Sequence, residues 1–205
     1  MNKYFDYNII PIGDHCAISM ILKELKLRNK SYPFDWVSHT DPLYNTNIIN
    51  NIQLINELNQ SDTVDDIVNK YIGDAFNNNK INSTTDIMFP HDVGDITNIF
   101  EKYKRRFIRL KLDLKQKNIF ILLTRNYYIE EDIFQQIKEQ LLNYNSESII
   151  LFISGQNHIY FENMNCEKII FKYIKYDISQ FYSYDYTNFL PNIKKFISDL
   201  LLYPT

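Results

Sequence analysis

The chain has 205 residues, enough for one well-buried core and short for two. It carries 22 Lys and Arg against 25 Asp and Glu, a formal net charge of -3. No basic excess therefore points to nucleic acid or to an anionic membrane. Without a run of 18 apolar residues or the apolar core of a signal peptide, no membrane span or targeting segment is predicted.

Two cysteines do not form a disulfide framework, which favours a reducing compartment. Abundant Asn, Ile, Lys and Tyr are typical of AT-rich coding, as in many parasites and large DNA viruses. We therefore expect a single domain over residues 1–205 in the cytoplasm, or in a host cytoplasm or virion if the source is viral.

The first predicted elements in chain order are a buried strand and an amphipathic helix. KYFDYNIIPIG ends in an apolar run halted by Gly13, which predicts the strand. CAISMILKELKLRN has apolar residues near helical spacing, with Asp14 as its candidate cap. SYPFDWV contains Pro33, which we expect to hold the chain extended and to bar a helix.

The rest of the chain alternates helices and strands. Helical patterns are DPLYNTNIINNIQLINELNQ, TVDDIVNKYIGDAF, DITNIFEKYKRRFIRLKLDLKQK, IEEDIFQQIKEQLLNYN and YTNFLPNIKKFISDLLL. Strand patterns are DIMFPHDV, NIFILLTRN, SIILFISGQNH and KIIFKYIKYD. Residues 77–86 predict a polar, mobile loop. The alternation predicts an α/β fold: one domain with a mostly parallel central sheet and helices on both faces.

Cys16 is the first candidate for chemistry. In an open α/β sheet, ligands bind beyond the carboxyl ends of strands, where the strand, Gly-x-x-Cys and helix pattern places this residue. The N–H groups and dipole of the helix start would favour its thiolate, the nucleophilic form. The alternative is a buried residue without chemistry, because cysteine behaves as a small hydrophobe in protein cores.

A nucleophilic thiol needs a base, and the candidates are His91 and His158, each after a strand-like segment. His15 adjoins Cys16 in the sequence, but neighbouring side chains on a helix point in different directions.

Three aspartates are candidates for the carboxylate that would orient the base. Asp92 is too close in sequence to His91 for its orientation to be guaranteed, so Asp14 or Asp35 could serve instead. Asp35 lies between two large aromatic residues in SYPFDW. It is either a functional carboxylate in a pocket wall or a structural clamp that binds loop N–H groups.

Basic residues cluster in KYKRRFIRLK, where Arg105, Arg106 and Arg109 share neighbouring helix faces. Arginine suits forked recognition of carboxylate or phosphate, so an anionic substrate is a candidate. A charge run on a helix is usually solvated, and only Arg125, at the end of IFILLTR, has support from its position. The chain has no P-loop, GxGxxG, HExxH, CxxC or GxSxG motif and no zinc spacing, so we expect no metal and no cofactor.

IGDHCAISMILKELKLRNKSYPFDWV resembles the opening signature of the putative papain-like cysteine peptidases, a family found in bacteria and large DNA viruses. Its matching positions here are Ile12, Gly13, Cys16, Leu27, Arg28, Ser31, Pro33, Phe34, Asp35 and Trp36. The family's later His-Asp element is similar to His91-Asp92, its arginine-rich helix to Arg105-Arg106, and its strand ending in Arg to IFILLTRN. The resemblance implies a thiol nucleophile at Cys16 with His91 as base, and a papain-like α+β fold as the alternative to α/β.

Three hypotheses fit these residues. The first is a cysteine peptidase, or a related thiol hydrolase or acyltransferase, in which Cys16 attacks an acyl carbon. In this hypothesis His91 transfers the proton, and Asp92 or Asp35 orients the His91 ring. N–H groups of the helix start bind the oxyanion. The predicted substrate-binding residues are Gly13, Asp14, His15, Ser31, Trp36 and Arg125.

In the second hypothesis, the protein is a transferase or binding protein for an anionic ligand, such as a sugar nucleotide for surface glycan synthesis. Arg125, His91 and Asp35 then line the pocket, and Cys16 is packing. The third hypothesis is a non-catalytic interaction module. Across the first two, the substrate would be a small molecule, a glycan or a peptide.

Overall fold

The computed structural model describes residues 4–13, 15–39, 46–125, 129–157, 166–180, 183 and 185–202. Its strands are β1 (Asn8–Gly13), β2 (Ser38–His39), β3 (Ile87–Met88), β4 (Asn118–Thr124), β5 (Ile149–Ser154) and β6 (Ile169–Tyr173). Its helices are α1 (Ala17–Glu24), α2 (Thr46–Gln60), α3 (Asp65–Ile72), α4 (Ile96–Asp113), α5 (Glu131–Tyr144) and α6 (Leu190–Leu201). Shorter helical turns are Pro33–Trp36, Ile178–Gln180 and Asp185–Phe189. None of the helices in these ranges has the length and apolar character needed to cross a membrane.

Four parallel strands form the central sheet in the order β1-β4-β5-β6. The register sets Gly13 opposite Leu123 and Thr124 opposite Ser154, so the carboxyl ends of three strands share one edge. Every residue of β4 and β5 is buried, which explains their nearly continuous apolar sequences. The α/β prediction is confirmed, and the α+β alternative does not describe this sheet.

Helices cover both faces of the sheet, as predicted. On one face Phe120 and Leu122 pack in a core with side chains of α2, α3, α4 and α5. On the other face Ile121 and Leu123 pack with α1 and α6. Alternate residues of β4 thus enter opposite layers, as strand geometry requires. Burial on both faces fixes the register of the strands that carry the candidate site.

The SYPFDW segment forms a 3-10 turn at Pro33–Trp36, so the prediction that Pro33 bars a helix is wrong. Tyr32 is extended, with φ -114° and ψ 167°, as the residue before a proline prefers. The proline itself takes the first position of the turn, where its fixed φ is favourable and no N–H is needed. The steric restriction therefore applies to Tyr32 and leaves the following residues free to turn.

Residues 77–86 are turns, joined to β3 by an isolated bridge between Ile81 and Met88. Asn82 is buried within this segment, and its amide donates to the carbonyl oxygens of Lys70 and Tyr71 at 3.0 Å each. This anchor ties the middle of the segment to α3. The mobility of the segment stays a prediction.

Gly155 lies where the carboxyl ends of β4 and β5 pack closely, and a substitution there tests this packing. Its N–H donates to the Thr124 oxygen at 2.8 Å, and an added Cβ would lie 2.0 Å from the Arg125 oxygen. Gly155→Ala must therefore push two central strand ends apart. We expect the free energy of unfolding, measured by urea denaturation, to fall by about 2–3 kcal/mol.

Gly94→Ala is the matched control for this substitution. Gly94 has a φ of 112°, but nothing lies within 4 Å of an added Cβ. This control should cost only the backbone strain, about 1 kcal/mol. Equal losses in the two variants would contradict the role given to Gly155.

Candidate active site

Cys16 lies beyond the carboxyl end of β1 and immediately before α1, as predicted. Its side chain is 7% exposed, and Sγ lies 3.8 Å from His91 Nε2. The two residues are 75 positions apart in the chain. The separation is within reach of a thiol–imidazole hydrogen bond, so the fold brings together the predicted nucleophile and one of its two predicted bases. The other candidate base, His158, and the candidate cap Asp14 lie outside the described residues.

The surroundings of Cys16 favour the protonated thiol over the thiolate. Burial raises its pKa, and the smaller opposing effects of its own backbone N–H and of the Arg125 charge do not cancel the rise. The backbone N–H at the start of α1 thus favours the thiolate, as expected, but burial outweighs its effect. A base must remove the proton when the thiol reacts.

His15 is a neutral imidazole with a defined tautomer. The Ala17 N–H donates to His15 Nδ1 at 3.2 Å, so the ring proton is on Nε2. Burial, followed by the charges of Arg125 and His91, lowers the pKa of His15 to about 3. The side chain is therefore a hydrogen-bond donor that does not acquire charge in the physiological pH range.

Trp36 holds the His91 ring in place. The two rings pack edge to face, with centroids 5.6 Å apart and planes at 75°. The Arg28 guanidinium in turn lies 5.1 Å from the Trp36 ring centroid, within cation–π distance. The only tryptophan of the chain thus connects the candidate base to the loop after α1.

The contacts of Asp35 are those of a structural clamp. Arg28 donates to Asp35 Oδ2 through Nη2 at 2.5 Å and Nε at 3.1 Å, and the Tyr32 N–H donates to the same oxygen at 3.0 Å. Arg28 also donates to Ser31 Oγ at 2.8 Å, and Arg109 donates to the Ser31 carbonyl at 2.7 Å. Ser31 and Asp35 thus bind the loop together, and neither bonds to the Cys16–His91 pair in the described part of the chain.

Asp92 lies beside His91, but its carboxylate bonds to α4. Oδ2 accepts from the Tyr103 hydroxyl at 2.6 Å, and Oδ1 forms an ion pair with Lys102. The side chain is buried. These bonds hold the segment that carries His91 against α4, and an orienting role for Asp92 toward the imidazole stays a prediction.

Gly13 and Arg125 lie at the ends of adjacent strands. A Cβ on Gly13 would lie 3.3 Å from the Leu123 Cβ, so the glycine permits close approach of β1 and β4. Arg125 follows β4 directly and is only 3% exposed. Its positive charge lowers the pKa of both Cys16 and His15, which places a buried cation near the thiol.

A cleft of about 300 Å³ opens beside the candidate base. It is lined by Trp36, His91, Asp92, Lys102 and Arg106. Lys102 and Arg106 are four residues apart on α4 and so share one face of the helix. Lys102 is not among the predicted site residues, and Arg106 belongs to a run of basic residues for which anion recognition and a solvated face are both open in the sequence. Their spacing around buried Tyr103 is the signal that could have identified them.

A model of the family described as Putative papain-like cysteine peptidase (DUF1796) matches residues 7–154. The matched segment is well over half of the chain and contains Cys16, His91 and the whole cleft lining. Comparisons with the curated proteins and with the solved structures give no match.

The buried ion pair between Arg28 and Asp35 supports the loop that carries Trp36. Arg28→Met would leave a 1% exposed carboxylate without its cation, and we expect a loss of about 3 kcal/mol in unfolding free energy at pH 7. Lys195→Met is the control, because the Lys195–Asp199 pair is 74% and 59% exposed and should contribute less than about 1 kcal/mol.

The loss in Arg28→Met should depend on pH. Burial raises the pKa of Asp35 in the folded protein, and Arg28 opposes that rise. Without Arg28, the folded state binds the Asp35 proton still more tightly than the unfolded chain does, so stability falls as pH rises through the acidic range. Urea titrations from pH 4 to 7 should show a loss that grows with pH, and a pH-independent loss would contradict the clamp.

Proposed function

Because the chain belongs to the putative papain-like cysteine peptidase family, we propose that it is a cysteine-dependent hydrolase or acyltransferase. Cys16 is the nucleophile and His91 the base. The observation that carries the proposal is the 3.8 Å separation of Cys16 Sγ from His91 Nε2 beyond the carboxyl edge of the sheet. A nucleophile and an imidazole from distant segments meet where this class of fold binds its ligands.

The proposed reaction starts from the Cys16 thiol beside the His91 imidazole. Cys16 gives its thiol proton to His91 Nε2 while Sγ bonds to the acyl carbon, and the carbonyl electron pair moves onto oxygen. When the tetrahedral intermediate collapses, the leaving amine or alcohol takes the proton from His91. Water, or an acceptor in a transferase, then gives a proton to His91 and attacks the thioester. The acyl product leaves, and the departing thiolate takes the proton back from His91, which restores the thiol.

His15 and Arg125 provide electrostatic stabilisation for the developing oxyanion. The Ala17 N–H bonds to His15 Nδ1, so this N–H of the first turn of α1 acts through the imidazole. His15 then offers its Nε2–H as a neutral donor, and Arg125 contributes a buried positive charge. Fixed donors of this kind stabilise charge in the transition state without reorganisation.

A second candidate function is the binding or transfer of an anionic ligand with Cys16 as a packing residue. The 7% exposure of Cys16 and the rise in its pKa favour this alternative. The two functions differ in whether a covalent bond forms at sulfur, and a single-thiol protein distinguishes them.

Cys166→Ser leaves Cys16 as the sole thiol of the chain. With p-nitrophenyl acetate, this variant should release p-nitrophenolate as fast as the parent protein, and mass spectrometry should locate an acetyl group on Cys16. Cys16→Ser should lower the enzymatic rate by at least about 100-fold, because it removes the nucleophile.

The exposed Cys166 is the internal standard for ordinary thiol reactivity. Acetylation confined to Cys166, with equal ester hydrolysis in Cys16→Ser and the parent protein, would contradict the proposal and favour the second candidate.

A further inference from the structure

We infer that the substrate of the proposed thiol enzyme carries an anionic oxygen group, a carboxylate or a phosphate, which Arg106 and Lys102 bind in the cleft beside His91. The assignment of a substrate rests on the proposed function. The anion site itself rests on the charges that α4 places in the cleft.

Tyr103 helps to hold both cations at the cleft. The Arg106 Cζ lies 5.1 Å and the Lys102 Nζ 5.4 Å from the Tyr103 ring centroid, which are cation–π distances. Tyr103 is fully buried and its hydroxyl bonds to Asp92. The two cationic side chains therefore rest on a fixed support.

Arg106 lines the cleft and has one guanidinium nitrogen without a hydrogen-bond partner among the described residues. This nitrogen, Nη1, is buried. The Arg106 charge lowers the pKa of the buried Asp35, whose Oδ2 bonds to Arg28 and whose Oδ1 has no hydrogen-bond partner among the described residues. A buried donor without an acceptor is costly, and the guanidinium fork matches the oxygens of carboxylate or phosphate.

The charge balance at the cleft is positive. Asp92 neutralises one cation by its ion pair with Lys102, and Arg106 adds a second. Burial and the charges of Arg106 and Arg105 lower the pKa of Lys102, as expected where cations crowd together. A bound anion would relieve this repulsion and supply acceptors to both side chains.

The position of the cleft connects the anion to the chemistry. Its wall includes His91, whose Nε2 faces the thiol, and Trp36, which packs on the imidazole. An anion at Arg106 would therefore lie in the same cleft as the imidazole of the base. The acyl group or the leaving group that reacts at Cys16 carries the charge near its carbonyl.

Ester preference tests the site during turnover. The parent protein should hydrolyse mono-p-nitrophenyl succinate with a kcat/KM about 10-fold above that for p-nitrophenyl acetate. Arg106→Gln should abolish this preference. Arg105→Gln, an exposed neighbour on α4, is the matched control and should retain it. A preference that is absent, or that survives in Arg106→Gln, would overturn the inference.

Binding tests the site without turnover. Calorimetry on Cys16→Ser with inorganic phosphate, succinate and uncharged succinamide should show binding of an anion only, weakened about 10-fold by Arg106→Gln. Tighter phosphate binding identifies a phosphate group, and tighter succinate binding a carboxylate.

The two assays separate the inference from the proposed function. Anion binding that depends on Arg106, in a protein that hydrolyses neither ester, would refute the thiol chemistry and keep the anion site. Absence of anion binding would contradict the assignment of an anion site to this cleft. Arg106→Gln could instead lower the free energy of unfolding and leave both anion binding and ester preference unchanged. That result would show that Arg106 supports Asp35, and it would contradict a role in ligand binding.

Discussion

The pairing of β2 with β3 is the constraint on which the candidate site depends. Ser38 pairs with Met88 and His39 with Ile87, so two residues of each segment set their relative position. Trp36 lies two positions before this ladder and His91 three positions after it. The short ladder therefore places the imidazole beside a thiol that follows β1 of the separate four-stranded sheet. The loop before it is tied by the Arg28–Asp35 pair, and the loop after it by the bonds of Asp92 to α4.

Burial decides the electrostatics of the site. At Cys16, burial raises the pKa of the thiol by more than the backbone N–H at the helix start lowers it. At His15, burial lowers the pKa of the imidazole and so keeps it uncharged. A neutral thiol beside an imidazole suits general-base activation, in which the proton moves only when the sulfur attacks. In the proposed reaction, the positive charges of Arg125 and of α4 stabilise negative charge on the oxyanion and on the substrate. Arg125 is only 3% exposed, so water screens its charge little.

The sequence predicts the sheet well because β4 and β5 are buried on both faces and so consist of apolar residues. It also predicts the position of Cys16, because a glycine stop followed by a helical period marks a strand end. The rest depends on tertiary contacts. The helical turn at Pro33 and the selection of Arg28 as the partner of Asp35 follow from the packing of that loop.

Local charge patterns are also a poor guide to which face of a helix meets a ligand. Arg105 is exposed, whereas Arg106, the next residue, lines the cleft. The two differ only in the face of α4 on which they lie, and Arg106 lies on the side of Tyr103. Asp92 shows the same limitation: its neighbour in the chain is the candidate base, yet its carboxylate bonds to Tyr103 and Lys102.

The pH dependence of Cys16 alkylation tests the central claim, that His91 activates this thiol. The measurement uses iodoacetamide on Cys166→Ser and on Cys166→Ser with His91→Gln, so that one thiol is present in each protein. At pH 7 the protein with His91 should react about 10-fold faster or more, because the imidazole takes the proton of a thiol whose pKa burial has raised. The His91→Gln protein should gain reactivity only at alkaline pH. Superimposable rate profiles would show that the 3.8 Å contact has no chemical consequence and would contradict the account.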